Sequence, residues 1–187
     1  MSTKTTLGSK ENLVRFSYVH VDTPRIDPSG NENYSVQILL PKAAKDQYDR
    51  LQKAIDLELK KMFTDKGQKI PPKAHHPVKD GDTDTKLNGD SYPPECKNHW
   101  VLNAKTSASN RKPLVVDAKN KIVHDPGFLR SGDYGCVQIA LYGYTAGSGG
   151  VGVGLENLQK VRDGEPLGGG ADNPASVFST HEEEFLA

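Results

Sequence analysis

The chain has 187 residues, 24 basic and 24 acidic side chains and a mean hydropathy of −0.63. That length suits one domain, large enough to bury roughly two thirds of its surface. No apolar run is long enough to span a bilayer, and Cys96 and Cys136 are expected to be free thiols of an intracellular protein, so membrane and secreted disulfide-stapled classes are set aside. The zero net charge conceals a polarised chain: residues 1–162 carry +6 and residues 163–187 carry −6. A basic body with an acidic end is an arrangement for binding a polyanion and also imitating it.

In chain order, residues 1–10 are polar and rich in Thr, Ser and Lys, which predicts a loose arm. Leu13–Val21 alternates, with Val14, Phe16 and Tyr18 on one face and Arg15 and Ser17 on the other, as a half-buried strand requires. Asp27-Pro28-Ser29-Gly30-Asn31 reverses the chain. Tyr34–Leu40 then puts Tyr34, Val36, Ile38 and Leu40 on one face, completing a hairpin.

Ala44, Tyr48, Leu51, Ile55, Leu59 and Met62 recur at three- and four-residue intervals and predict an amphipathic helix over Ala43–Phe63. Pro41 precedes it and Gly67 follows it. Residues 67–98 form a long polar stretch with five prolines and little periodicity, a length of loop that is commonly functional. Strand character returns at His99–Lys105 and Pro113–Asp117, and most clearly at Tyr134–Tyr144. In that last strand Val137, Ile139 and Leu141 face inward, and Tyr134, Gln138, Tyr142 and Tyr144 face outward. After the Gly147–Gly150 turn, a final strand runs from Val151 to about Val161, and Gly152 and Gly154 leave one of its faces bare, open to close approach of a flat group. The body is therefore mainly β, with one helix and long loops.

Motifs for chemistry are weak. Asp80-Gly81-Asp82-Thr83-Asp84 opens like a calcium loop, but Thr85 stands where the loop needs glycine and Ser91 where it needs the bidentate glutamate. His75, His76, Cys96 and His99 match no common zinc module. Gly147–Gly154 lacks the Gly-Lys-Ser/Thr ending of a phosphate loop. No nucleophile elbow or pair of catalytic acids emerges, so neither enzyme, cofactor nor metal is expected. What remains is a strand-rich body with outward aromatics interleaved with Lys and Arg, the chemistry that single-stranded nucleic acid requires. The competing reading is that those tyrosines cover a second packing surface.

The block Gln159-Lys160-Val161-Arg162-Asp163-Gly164-Glu165-Pro166-Leu167-Gly168-Gly169, with Leu102-Asn103-Ala104-Lys105, Val78-Lys79-Asp80-Gly81-Asp82 and the acidic end, resembles a family of tailed-phage single-stranded-DNA-binding proteins with an OB fold. The resemblance spans about Val14–Leu167. It implies a five-stranded barrel over 11–167 with an inserted helix, a flexible N-terminal arm over 1–10 and a flexible acidic tail over 168–187. It also implies a protein that coats exposed strands during replication or recombination in the cytoplasm of an infected bacterium. Expected DNA contacts are Tyr142 and Tyr144 as stacking platforms, Arg15, Lys105, Arg111, Lys160 and Arg162 at phosphates, and Asn103 with Trp100 beside them. Glu182, Glu183, Glu184 and Phe185 are expected to recruit a replication partner or to compete with DNA. The alternatives are a protein adaptor, an RNA-binding module and, last, a metal-dependent nuclease.

Overall fold

A computed structural model describes residues 2–167. The acidic tail and its candidate residues Glu182, Glu183, Glu184 and Phe185 lie outside the described residues. The elements are β1 (Thr3–Leu7), β2 (Val14–Ile26), β3 (Glu32–Pro41), α1 (Lys45–Met62), β4 (Lys79–Asp80), β5 (His99–Ser107), β6 (Leu114–Val116), β7 (Tyr134–Tyr144) and β8 (Gly150–Arg162).

Pairing runs β7-β2-β3-β5-β8 and returns to β7 along the antiparallel β7–β8 ladder. This is a barrel-like circuit of five strands, the OB pattern expected from the sequence. Two seams are narrow. The β2–β7 seam is held by Val14↔Gly135 and Arg15↔Tyr134, and the parallel β5–β8 seam by Lys105↔Gly154. β1 extends the sheet beyond β7, β6 lies on β8, and β4 lies on β5. Phe16, Ile38, Leu40, Leu102, Ile139, Leu141 and Leu158 fill the interior and are essentially inaccessible to water. Deleting side chains from so dense a centre costs about 2–5 kcal/mol each.

α1 places Leu51 and Ile55 against the barrel, as its periodicity predicts. Asp46 in its first turn and Lys60 and Lys61 in its last complement the helix dipole. Two polar residues are also buried on this face, and they correct the expectation of a loose arm. Gln47 Oε1 accepts a hydrogen bond from Gly8 N at 2.7 Å, its Nε2 donates to Ser9 Oγ and Asn12 O, and Glu58 accepts from the Thr3 hydroxyl. Residues 3–7 therefore form a strand in register with β7, Thr3↔Leu141 through Leu7↔Val137, and Leu7 is fully buried. The β-branched threonines suit a pleated surface, but their polarity hid the inward positions Thr3, Thr5 and Leu7.

β2 departs from simple alternation. Ser17 pairs with Gln37 but His20 pairs with Ser35, so one extra residue is bulged out, and Tyr18 there has φ 46°. The bulge turns Tyr18 away from the core face expected for it and leaves it 49% exposed.

Candidate nucleic-acid interface

A cavity of 610 Å³ forms an open groove across β2, β3, β5, β7 and β8. Tyr18, Tyr142 and Tyr144 supply its rings. Arg25 and Lys105 supply charge, and Ser35, Gln37 and Asn103 form a polar floor, with His20 and His75 at its walls. The β3–β5 ladder explains the floor: Gln37↔Asn103 and Ser35↔Lys105 are directly opposed, so two carboxamides and then a hydroxyl and an ammonium line up across neighbouring strands. Asn103 and Lys105 alternate outward while Leu102 and Ala104 turn in, as the sequence pattern predicts.

Tyr142 lies across Gly152, its direct partner on β8. A Cβ on Gly152 would come within 2.4 Å of Tyr142 Cζ, so the bare face seen in the sequence is filled by the protein's own ring. Tyr144 stands beside it, the two centroids 6.5 Å apart and tilted by 47°. Tyr142 remains 41% exposed, with its outer surface open to the groove. Gly152→Ala is expected to push this ring off its seat. Nucleic-acid affinity should then drop by about the worth of one stacked base, roughly 1–3 kcal/mol, with the far-ultraviolet circular dichroism spectrum unchanged.

Gln37 Oε1 is the one buried side-chain oxygen or nitrogen among the described residues with no hydrogen-bond partner, and Gln37 lines this groove. Buried polar atoms without partners are rare, and one at a cavity wall marks a place where a ligand or water donates. The histidines add a pH dependence. Burial first, then Arg25, lowers the His20 pKa below its ordinary 6.5, and burial, Lys79 and His76 lower that of His75. Both rings are therefore neutral at pH 7, and the folded state loses stability as pH falls through the histidine range, where the unfolded chain takes up protons first. A bound phosphate reverses the preference by favouring the charged ring. Affinity for a polyanion should accordingly rise between pH 7.5 and 5.5, and the rise should flatten in His20→Gln/His75→Gln, measured by fluorescence anisotropy at constant ionic strength.

Of the residues expected at the interface, Asn103, Lys105, Tyr142 and Tyr144 come together here. The others are placed elsewhere. Trp100 stacks on Tyr48 of α1, centroids 3.9 Å apart and planes 12° from parallel, and it packs against the core. Lys160 is half-enclosed by acids, 2.9 Å from Asp133 and 2.6 Å from Asp163, and it donates to Phe128 O at 2.7 Å. Burial alone would lower its pKa, but these carboxylates outweigh burial and raise it. Arg162 lies 3.9 Å over the Tyr134 ring, with Arg15 at 5.2 Å from the same ring. Arg15 is further held by Gly132 O and Glu165 O. Arg111 pairs with Glu156 at 3.1 Å. These cations were visible in the sequence; their partners were not.

The Gln159–Leu167 block is accordingly a structural clasp. Gln159 bonds Asp117 O and Asn120, Lys160 reaches Asp133, and Leu167 N donates to Ser131 O. Gly164 passes so close to Gly132 that no side chain fits between them. The groove residues that sequence reasoning missed are Tyr18, His20, Arg25, Gln37 and His75. Only Arg25 carried a readable signal, as a cation flanking the hairpin turn.

A five-stranded OB-type barrel whose face carries two exposed rings and a half-buried third, two cations without a carboxylate partner among the described residues, and a polar floor defines a module suited to an extended polyanion bearing flat bases. The family model described as Enterobacter phage Enc34, ssDNA-binding protein, matches residues 5–186, and the chain belongs to that family. The p50 protein of Acyrthosiphon pisum secondary endosymbiont phage 1 is 28% identical over 186 residues, covering 95% of this chain and 98% of that protein. Among solved structures, the single-stranded DNA-binding protein from bacteriophage Enc34 in complex with ssDNA superposes with a TM-score of 0.72 at 24% identity, over 88% of this chain and 89% of that one. The single-stranded DNA-binding protein gp2.5 of bacteriophage T7 gives 0.64 at 17% identity, covering 96% of each chain. At these identities the two structures establish the likeness of fold.

Proposed function

We propose that this protein binds single-stranded DNA in the β2-β3-β5-β7-β8 groove, without reading base sequence, and coats exposed strands during phage DNA replication or recombination. The observation that carries the reading is the convergence of Tyr18, Tyr142 and Tyr144 with Arg25 and Lys105 on one open face. Bases stack on aromatic faces whatever their identity, at about 1–3 kcal/mol each, while cations follow the phosphates. Duplex DNA keeps its bases stacked inside and offers the rings nothing. The six acidic residues after Arg162 offer a competitor for the same cations and, once displaced by DNA, a ligand for a replication partner.

The test is a titration of the full chain with single-stranded and blunt duplex DNA and single-stranded RNA of equal length, across a series of salt concentrations. Single strands should be preferred. Each neutralised phosphate contributes about −0.7 to the log-log salt slope, so Arg25 and Lys105 alone give about −1.4. A chain truncated after residue 170 should bind more tightly at low salt and equally at high salt, where competition is screened. Equal affinity for duplex, or a slope near zero, overturns the reading.

A further inference from the structure

The groove does not end at the tyrosines. A second cavity of 250 Å³ adjoins it, sharing His75, Asn103 and Val153, and its outer wall is built by Lys79, Lys86, Leu87 and Tyr92. These residues belong to the stretch between α1 and β5, which the barrel circuit does not need for closure.

Within that stretch a small finger is bonded to itself. Thr85 bridges Ser91, Lys86 N donates to Asp90 O at 2.8 Å, and Gly89 N donates to Lys86 O at 2.9 Å. Its acids are occupied locally: Asp84 accepts from Asp80 N, and Asp90 accepts from the Asn88 side-chain amide. At the tip Leu87 is fully exposed, 112% of its reference area. Leu87 thereby sets an apolar side chain on the outer wall of this cavity. Across the cavity, Tyr92 packs against the cluster of Leu39, Cys96 and Val101 and lines the opening. Neither Lys79 nor Lys86 takes part in an ion pair among the described residues.

We propose that this finger-walled cavity is a second nucleotide subsite, taking the part of the same single strand that leaves the tyrosine groove past His75. A base lies between Leu87 and the Tyr92 ring, and the flanking phosphates face Lys79 and Lys86. The occupant follows from continuity with the groove and from the sign of the free charges. The inference rests on the single-strand reading above and makes a separate statement, that length matters. A strand long enough to pass His75 gains contacts that a short strand does not.

The experiment titrates oligothymidylates of about 4 to 16 nucleotides, the range spanned by OB-fold site sizes. It uses the full chain, Lys86→Ala/Leu87→Ser, and Tyr142→Ala as a groove control. Both finger positions lie on an exposed turn, and matched melting curves verify that the fold is kept. Wild-type affinity should climb with length to a plateau. The finger variant should match wild type on the shortest strands and fall at least about fivefold below it on the longest, the worth of one modest stacking contact. Tyr142→Ala should lose affinity at every length. Equal affinity of wild type and finger variant at all lengths overturns the second subsite, as does an equal loss at all lengths. Failure of wild type to bind any of the strands overturns the single-strand reading instead.

Discussion

Tyr142→Ala is expected to weaken single-strand binding by about 1–3 kcal/mol, and removal of Tyr18, Tyr142 and Tyr144 together by several-fold more in free energy, if each ring takes a base as proposed. The melting temperature should move little. Tyr142 and Tyr18 are 41% and 49% exposed and lie outside the core cluster, so truncation opens no cavity in the interior. Substitution by Phe keeps the π-face and should retain most of the affinity, which separates stacking from hydrogen bonding by the phenol. Anisotropy titrations beside thermal melts read both quantities. If the alanine variants melt early yet bind normally once folded, the rings are packing residues.

Lys160→Ala is expected to behave in the opposite way. Its side chain is 10% exposed against that of Asp133, which is 1% exposed, and Asp133 also accepts from Arg130 N at 2.8 Å and Gly164 N at 3.2 Å. Removing the lysine leaves a buried carboxylate without its countercharge, a loss of about 3–5 kcal/mol. For a chain of this size each kcal/mol lowers the melting temperature by about 2–4 °C, so a fall of roughly 6–20 °C should appear in calorimetry. Single-strand affinity at low temperature should stay near wild type, since Lys160 lies away from the groove. Because its folded pKa is raised, the stabilisation is fully present below the ordinary lysine value of 10.5 and is lost as pH climbs through the raised one. A variant that keeps its melting temperature but loses affinity restores Lys160 to the interface.

Much of the fold is legible because it follows simple periods. The inward Val137, Ile139 and Leu141 of β7 and the Leu51–Ile55 stripe of α1 announce themselves at periods of two and near four, and both are buried as expected. Asn103 and Lys105 were legible for the same reason. Tyr18 was not, because a bulge resets the alternation of β2, and nothing local in Phe16-Ser17-Tyr18-Val19 announces it. β1 was missed because its inward Thr3 is satisfied by buried Glu58 and the following Gly8 by Gln47, residues some forty to fifty-five positions away.

The cations show a different limit. Arg15, Arg111, Lys160 and Arg162 look equivalent to Lys105 in one dimension, and only the fold shows which carry a carboxylate, a carbonyl or a ring against them. The clasp from Gln159 to Leu167 carried the resemblance most strongly, yet its contacts are internal. A motif can identify a family by how the chain is closed rather than by what it touches.

The central claim is the location of the strand. The most direct measurement is photo-crosslinking of single-stranded DNA carrying 5-iododeoxyuridine to the full chain, with the attached residues read by mass spectrometry. Cross-links at Tyr18, Tyr142, Tyr144 and His75 are the expected result, all on the groove face. Cross-links confined to Tyr134 with Arg162, or to Tyr48 with Trp100, would place the strand on the opposite end of β7 or over the helix and contradict the account.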